Sequence, residues 1–185
     1  MKKSGKARAH TNIALIKYWG KADEALIIPM NNSLSVTLER FYTETRVTFD
    51  EALTEDQLVL NGEQVNAKES AKIKRYMEMI RKEAGITEHA LIESENFVPT
   101  AAGLASSASA YAALAGACNE ALQLGLSDKD LSRLARRGSG SASRSVYGGF
   151  AEWEKGHDDA TSFAHSIDAH GWEDDLSLIH ISEPT

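Results

Sequence analysis

The sequence predicts an α+β fold in which a mostly antiparallel sheet carries helices on one face. Three observations support this prediction. The first third of the chain consists of short apolar or alternating runs, which are typical of strands. An Asn-Gly pair at Asn61-Gly62 separates two such runs and indicates a hairpin. Helical periodicity begins only after this hairpin, so strands come first and helices are mixed in later.

The first predicted elements are strands. Apolar-rich runs predict strands over Ala7–Ile16 and Ser33–Leu38. Thr43–Phe49 alternates Thr, Val and Phe with Glu and Arg, as a half-buried strand does. Leu58–Leu60 and Glu63–Val65 are then the two strands that flank the Asn-Gly turn.

A helix is predicted over Ala67–Ala84, with Gly85 as its C-terminal stop. Its apolar side chains recur at helical spacing and give it one apolar face. These side chains are Ile73, Tyr76, Met77, Ile80 and Ala84. A strand over Ala90–Phe97 follows.

Small residues dominate the next part of the chain. Pro99–Ala105 is predicted to be a loop leading into a helix over Ser106–Leu124, because this stretch is rich in alanine, the strongest helix former. Ser127 with Asp130 three residues later forms a capping arrangement that begins another helix, whose inner face holds Leu131, Leu134 and Ala135. The remaining predicted elements are a Gly/Ser loop over Gly138–Ser145 and strands over Val146–Trp153 and Ser162–Ile167.

Length and composition limit the class of protein. A chain of 185 residues fits one domain and can bury a core without disulfides or metals. The net charge of −7 repels a polyphosphate backbone, so nucleic acid is not an expected partner, although a local basic pocket for a small anion is compatible with it. The single cysteine, Cys118, excludes an internal disulfide and fits a reducing cytosol.

No membrane partner is expected either. No signal peptide is visible, and the uncharged stretch 96–119 has too few large apolar residues to span a bilayer. We therefore expect a cytoplasmic domain over residues 1–175. A strand-like run over Leu176–Ile179 breaks off, so residues 176–185 are interpreted as a truncated or foreign tail.

The first candidate site is the small-residue segment from Pro99 to Ser109. Backbone amides at a helix N-terminus bind phosphate oxygens, and small side chains let a phosphate approach the backbone. Ser106 and Ser107 add hydroxyls for phosphate or Mg²⁺. A serine cap on a buried alanine helix explains the same residues. The segment is neither a Walker A motif nor a nucleophile elbow.

The second candidate is Gly138–Arg144, in which three serines and an arginine lie among small residues. Arg144 could bind a carboxylate or phosphate through two parallel hydrogen bonds. A flexible loop with a surface arginine is the alternative. The segment is not a dinucleotide fingerprint, because Ser143 occupies the place of the third glycine.

The third candidate is Asn12–Lys21, an apolar strand that ends in two aromatic residues and a glycine between two lysines. Lys17 and Lys21 could pair with a polyanion while Tyr18 supplies a hydroxyl donor. An amphipathic strand end, with Trp19 in the core and solvated lysines, remains the alternative.

Together and in this order, the three segments resemble the GHMP small-molecule kinase superfamily and, within it, the diphosphomevalonate decarboxylases. Residues 99–108 resemble the ATP-phosphate loop of the superfamily. Residues 12–21 and 138–144 resemble narrower signatures of the decarboxylases, and residues 31–38 fit the same family. The resemblance covers residues 6–175.

The resemblance implies the N-terminal domain of a GHMP kinase and an ATP-dependent reaction. The family phosphorylates the tertiary 3-hydroxyl of (R)-5-diphosphomevalonate, and loss of that phosphate and of CO₂ gives isopentenyl diphosphate and ADP. Chains of this family are nearly twice as long. Their ferredoxin-like C-terminal half, with its catalytic aspartate, is not expected within these 185 residues. The resemblance thus implies a fragment that is inactive alone.

The resemblance also assigns roles to residues. Lys17 would offset charge on the transferred phosphoryl group, and Arg144 with Ser141 would bind the carboxylate. Ser106 would be the third catalytic residue beside Lys17 and Arg144. The implied substrate-binding residues are Tyr18, Trp19, Gly20, Lys21, Ser139, Gly140, Ser141, Ala142, Ser143 and Arg144. Within this set, Tyr18, Lys21 and Ser139 would bind the diphosphate.

ATP and Mg²⁺ are the implied cofactors. The implied ATP-binding residues are Pro99, Ala101, Ala102, Gly103, Leu104, Ala105, Ser106 and Ser107, with Ser94, Asn96 and Lys72 as neighbours of the nucleotide. Ser106 is also the expected Mg²⁺ ligand. Two alternatives stay open: a sister GHMP kinase, such as phosphomevalonate or homoserine kinase, and a non-catalytic diphosphate-binding domain. A homodimer is compatible with the sequence.

Overall fold

The structure is a computed structural model and describes residues 2–99 and 106–172. Its strands are β1 (Lys3–Ile16), β2 (Lys21–Asp23), β3 (Ile28–Pro29), β4 (Ser33–Asp50), β5 (Gln57–Leu60), β6 (Glu63–Gln64), β7 (His89–Asn96), β8 (Phe150–Trp153) and β9 (Ala164–Ile167). Its helices are α1 (Ala67–Ala84), α2 (Ser106–Leu122), α3 (Asp128–Gly138) and a 3-10 helix (Gly140–Val146). The predicted tail, 176–185, lies outside the described residues.

The main sheet contains seven of the strands in the described part of the chain. Its order is β6-β5-β7-β4-β8-β9, and β1 pairs with β4. Every pair in it is antiparallel except β5 with β7, which is parallel. Strands β2 and β3 form a separate small hairpin. The prediction of a mostly antiparallel sheet is confirmed.

Strand β4 joins two runs that the sequence pattern treats as separate strands. His10 of β1 pairs with Tyr42, and the next residue, Thr11, pairs with Leu38. Residues 39–41 therefore form a bulge within one long strand rather than a turn between two. Strand β1 pairs with β4 on both sides of these residues without a break, so the two halves of β4 belong to one strand.

The helices cover one face of the main sheet. Ala113 and Ala117 of α2 are fully buried, and a Cβ at Gly5 of β1 would overlap the backbone carbonyl of Ala117. The alanine-rich sequence thus lets α2 pack very close to β1. Met77 of α1 is also fully buried in this core. The prediction of helices on one face is confirmed.

The opposite face of the sheet is polar. Because side chains alternate along a strand, the residues next in register to the buried ones point away from the helices. They are Lys6, Glu44, Arg46, Glu93 and Glu95, which line a shared cleft. No helix in the described ranges combines the length and apolar character needed to cross a membrane.

The helix ends follow local capping rules. Helix α1 has the predicted bounds: Gly85 adopts φ +65°, and the Ile86 N–H donates to the Arg81 carbonyl at 3.1 Å. Helix α3 begins as predicted, with the Ser127 hydroxyl accepting from the Asp130 N–H. Helix α2 ends two residues before the predicted end, because Gln123 adopts φ +52°.

The segment after α3 corrects two predictions. Gly138 ends α3, and Gly140–Val146 is a 3-10 helix rather than a Gly/Ser loop. Strand β8 begins only at Phe150, because Val146 belongs to that helix and Gly149 adopts φ +64°. The β2–β3 hairpin was not predicted, since its strands are too short to give a periodic pattern.

Candidate functional site

The side chain of Arg144 is the centre of the site. The 3-10 helix buries it, leaving it 2% exposed. Its Nε donates to Ser35 Oγ at 2.9 Å, its Nη2 donates to Asn12 Oδ1 at 3.3 Å, and its Nη1 donates to Ser33 Oγ. These bonds use three of the five N–H donors of a guanidinium, so two remain for another acceptor.

Arg144 is surrounded by neutral oxygens. It forms no ion pair with a carboxylate in the described ranges 2–99 and 106–172. Burial lowers its pKa to about 10, so the group still carries its charge at neutral pH. A buried cation without a counter-ion is costly, and an anionic ligand would relieve that cost.

Three serine hydroxyls connect α2 to the segment that carries Arg144. The Oγ of Ser107, in the first turn of α2, lies 3.4 Å from Ser139 Oγ. The Oγ of Ser139 lies 3.4 Å from Ser141 Oγ. The first and second candidate segments are therefore brought together, with Ser106 beside this cluster in sequence.

Tyr18 brings the third candidate segment to the same place. Its ring packs edge-on against Trp153, with centroids 4.9 Å apart. A Cβ at Gly140 would lie 2.8 Å from Trp153 Cη2 and 3.0 Å from the Tyr18 hydroxyl. The glycine therefore lets the Tyr18 hydroxyl lie against the backbone beside Ser139.

Cations gather near this end of the molecule. Lys72 Nζ lies 4.8 Å from the centroid of Tyr111, whose ring fills the space that a Cβ at Gly138 would need. The pKa of Lys72 is lowered, mainly by burial and further by the positive charges of Lys21 and Arg75. This mutual repulsion would be relieved by an anion.

The two lysines of the third segment are both exposed. Lys21 Nζ lies 2.8 Å from Glu24 Oε2, and the hydrogen bond raises the pKa of Lys21. Lys17 makes no ion pair within the described part of the chain. Trp19 is 72% exposed, so the alternative that placed it in the core is wrong.

A groove of about 440 Å³ lies between the sheet, α1 and α2. Its lining is mostly apolar and consists of Thr45, Leu58, Leu60, Val65, Ile73, Ile92, Ser94, Ala110 and Leu114. Ser94 Oγ lies 3.0 Å from Thr45 Oγ1, and Asn96 Oδ1 accepts a hydrogen bond from Thr43 Oγ1 at 3.1 Å. Ser94 therefore faces this groove, and Asn96 lies two residues along the same strand.

Two of the expected substrate-binding residues have fully buried side chains. Ala142 is fully buried in the hydrophobic core, so its methyl group faces away from the site. Ser143 is also fully buried, and its hydroxyl donates to the Gly140 carbonyl at 2.7 Å. The Ser143 hydroxyl bonds within the 3-10 helix and the Ala142 methyl group packs in the core, so a role of these two residues in binding stays a prediction. Pro99 is exposed, while Ala101, Ala102, Gly103, Leu104 and Ala105 lie outside the described residues.

A family model described as the diphosphomevalonate decarboxylase-like N-terminal domain matches residues 9–164. The chain belongs to the diphosphomevalonate decarboxylase family. This confirms the resemblance and separates the chain from the sister GHMP kinases.

Relatives and solved structures agree with this family assignment. The diphosphomevalonate decarboxylase of Ganoderma lucidum is 42% identical, over 94% of this chain and 48% of that protein. The human enzyme is 42% identical over 80% of this chain and 40% of its own length. The crystal structure of mevalonate diphosphate decarboxylase from Staphylococcus aureus has a TM-score of 0.92 and 68% identity, covering 100% of this chain and 58% of that one.

A second solved structure, MDDEF in complex with MVAPP, AMPPCP and magnesium, has a TM-score of 0.90 and 65% identity, covering 94% of this chain and 53% of that one. The present chain spans about half the length of the curated decarboxylases it matches.

Three residues complete the site of this decarboxylase-family chain, of which Asn12 begins the third candidate segment and the other two were not predicted as site residues. Asn12, Ser33 and Ser35 supply the oxygens that hold Arg144. One signal was available: Ser33 and Ser35 are two apart in a strand, so they share a face of the sheet. The sequence alone does not reveal that this face meets Arg144.

Proposed function

We propose that this chain forms the substrate-binding half of an ATP-dependent diphosphomevalonate decarboxylase. The observation that carries the proposal is the buried guanidinium of Arg144, which has two free donors and no carboxylate partner in the described residues. The family assignment supports it, as does the similar protein solved with MVAPP, AMPPCP and magnesium.

The substrate has a carboxylate at one end and a diphosphate at the other. Arg144 is the group suited to the carboxylate, because a guanidinium can donate two parallel hydrogen bonds to it. Tyr18, Lys21 and Ser139 are suited to the diphosphate, since a hydroxyl cluster and a lysine lie within the same region. The acidic protein thus presents a local cationic site for an anion with two charged ends.

The nucleotide would lie along α2. The groove that Ser94 faces fits an apolar base, with Asn96 and Lys72 as neighbours, and the N-terminus of α2 fits the phosphates. Within the described residues no cluster of three metal-type side chains occurs. That suits Mg²⁺, which binds few protein ligands and relies on phosphate oxygens, and Ser106 would be the protein ligand. Mg²⁺ when bound offsets the negative charge of the phosphates.

The chain's own residues would then orient the reaction. Arg144 fixes the carboxylate so that its C–C bond is aligned with the phosphate leaving from the 3-hydroxyl carbon. Lys17 stabilises charge on the phosphoryl group during transfer, which is the main task in phosphoryl-transfer catalysis. Products would be isopentenyl diphosphate, ADP, phosphate and CO₂. We propose that this chain alone binds without turnover, because it spans only about half the length of the decarboxylases it matches.

The test compares two diphosphates, of which only one has a carboxylate and a 3-hydroxyl. We expect wild type to bind 5-diphosphomevalonate about 10- to 100-fold more tightly than isopentenyl diphosphate, which lacks that group. In Arg144→Gln the preference should disappear, because the amide cannot pair with the carboxylate. Isothermal titration calorimetry at fixed salt measures both affinities.

Arg133→Gln is the matched control, since Arg133 pairs with Asp130 and Asp159 and lies outside the site. Thermal melts establish that each variant is folded. A preference for the carboxylate ligand that survives in Arg144→Gln contradicts the proposal, and so does a wild-type chain that binds neither ligand.

A further inference from the structure

The side chain of Asn31, two residues before β4, holds the loop between β1 and β2, residues 17–20. The Oδ1 of Asn31 accepts a hydrogen bond from the Trp19 N–H at 2.9 Å. Its Nδ2 donates to the Lys17 carbonyl at 3.1 Å and to the Asn32 carbonyl at 2.6 Å. One amide group therefore binds the backbone on both sides of Tyr18.

The chemistry of these contacts requires an amide. The loop offers one donor, the Trp19 N–H, and one acceptor, the Lys17 carbonyl. A carboxamide has an acceptor oxygen and two donor hydrogens on one planar group, so it satisfies both together with the Asn32 carbonyl. Aspartate would lack the donors, and alanine would lack every partner.

The attachment acts on two proposed ligand-binding groups. Lys17 and Trp19 are exposed, so solvent competes for the backbone of this loop. Tyr18 keeps its hydroxyl beside Gly140 only if its backbone is held at the correct distance from Trp153. Ordering such a loop at the moment of binding would weaken binding, because the lost conformational entropy opposes it.

We propose that Asn31 is a positioning residue, which presets the Lys17–Tyr18 backbone so that Tyr18 meets the diphosphate end of the substrate and Lys17 meets the phosphoryl group that is transferred. This inference rests on the proposed function, because it takes the diphosphate as the ligand. Asn31 itself touches the loop backbone and not the ligand.

The neighbouring residue, Asn32, provides a matched control. Asn32 Nδ2 donates to Glu152 Oε1 at 2.9 Å, and Asn32 Oδ1 accepts from the Lys155 N–H at 2.9 Å. It is thus also an asparagine with two long-range hydrogen bonds, but both lead to β8 and the residues after it. Its removal should destabilise the chain to a similar extent without releasing the Lys17–Tyr18 loop.

The experiment compares Asn31→Ala with Asn32→Ala in the 185-residue chain. We expect the Trp19 amide to exchange with deuterium at least about tenfold faster in Asn31→Ala and at the wild-type rate in Asn32→Ala, as measured by NMR. Binding of 5-diphosphomevalonate, measured by calorimetry, should weaken about tenfold in Asn31→Ala and less than about twofold in Asn32→Ala.

The outcomes separate this inference from the proposed function. An unchanged Trp19 exchange rate in Asn31→Ala overturns the inference whether or not any ligand binds. Faster exchange with unchanged affinity overturns it too, while leaving the proposed function intact. If wild type binds no diphosphomevalonate, the proposed function and the positioning role both fail. Asn31→Ser, which cannot reach both loop groups, replaces Asn31→Ala if that variant is unfolded.

Discussion

Two buried arginines have opposite environments in this chain. Arg136 is fully buried, and its Nη2 lies 2.5 Å from Asp159 Oδ1. Its Nε also donates to the Leu26 carbonyl at 3.0 Å, so it fixes the β2–β3 hairpin against α3. Arg144 instead donates its hydrogen bonds to neutral oxygens and lies 6.0 Å from the centroid of the Trp153 ring. The first arginine is paired with a carboxylate that it shares with Arg133, whereas the second has no carboxylate partner in the described residues.

Glu24 competes with the proposed diphosphate ligand for the ammonium group of Lys21. It pairs with Lys21 at 2.8 Å and is itself 79% exposed. We expect Glu24→Gln to tighten the binding of inorganic pyrophosphate by about two- to fivefold at low salt, because exposed ion pairs contribute about 0.2–1 kcal/mol. The effect should shrink at high salt as screening increases.

Calorimetry at low and high salt measures this change. Glu55→Gln serves as the control, because Glu55 is exposed and pairs with Lys74 in the same way but away from the site. Equal pyrophosphate affinity for Glu24→Gln and Glu55→Gln would show that Glu24 does not compete.

The residue types at the site were predictable, but their partners were not. A lone arginine among serines indicates an anion site, and Arg144 is buried with hydrogen bonds to Ser33, Ser35 and Asn12. Its partners Ser35 and Asn12 are 109 and 132 residues away in sequence. Such contacts depend on strand pairing, which a single sequence does not specify.

At the scale of elements, local signals predicted the helices well. Helix α1 and the start of α3 depend on a glycine and a serine within a few residues of each end, so their signals are local. The 3-10 helix at Gly140–Val146 was missed because glycine and serine favour loops in isolation. Its conformation comes from tertiary packing, as shown by the complete burial of Ala142 and Ser143.

The cap of α3 gives a prediction about stability. Ser127→Ala removes the hydroxyl that accepts the Asp130 N–H at 3.2 Å. We expect the free energy of unfolding to fall by about 1 kcal/mol, as is typical for a lost N-cap. Urea denaturation measures the change. Ser166→Ala, at an exposed position in β9, should change it by less than about 0.5 kcal/mol, and equal effects would exclude a capping role.

At the scale of the whole molecule, surface ion pairs predict how stability depends on pH. A hydrogen bond from Lys3 lowers the pKa of Glu88 from 4.5 to about 2, and hydrogen bonds from Lys6 and Arg8 lower the pKa of Glu44. A carboxyl group with a lowered pKa stabilises the fold above its ordinary pKa, and this stabilisation is lost as pH falls.

We therefore expect the free energy of unfolding to fall as the pH drops from 4.5 to about 2. Urea denaturation across this range measures the slope, which should be shallower in Glu88→Gln. Glu63→Gln is the control, because Glu63 is exposed and makes no ion pair in the described part of the chain. If Glu88→Gln shows the same slope as wild type, Glu88 does not contribute to the pH dependence of the free energy of unfolding.

The hydrogen bond between Asn12 and Arg144 also bears on how the protein is made. Arg144 follows Asn12 by 132 residues, all of which must be synthesised before the two side chains can meet. At typical rates of synthesis this takes roughly 7 to 26 s. During that interval β1 can already pair with β4, but Asn12 still lacks Arg144 as its partner.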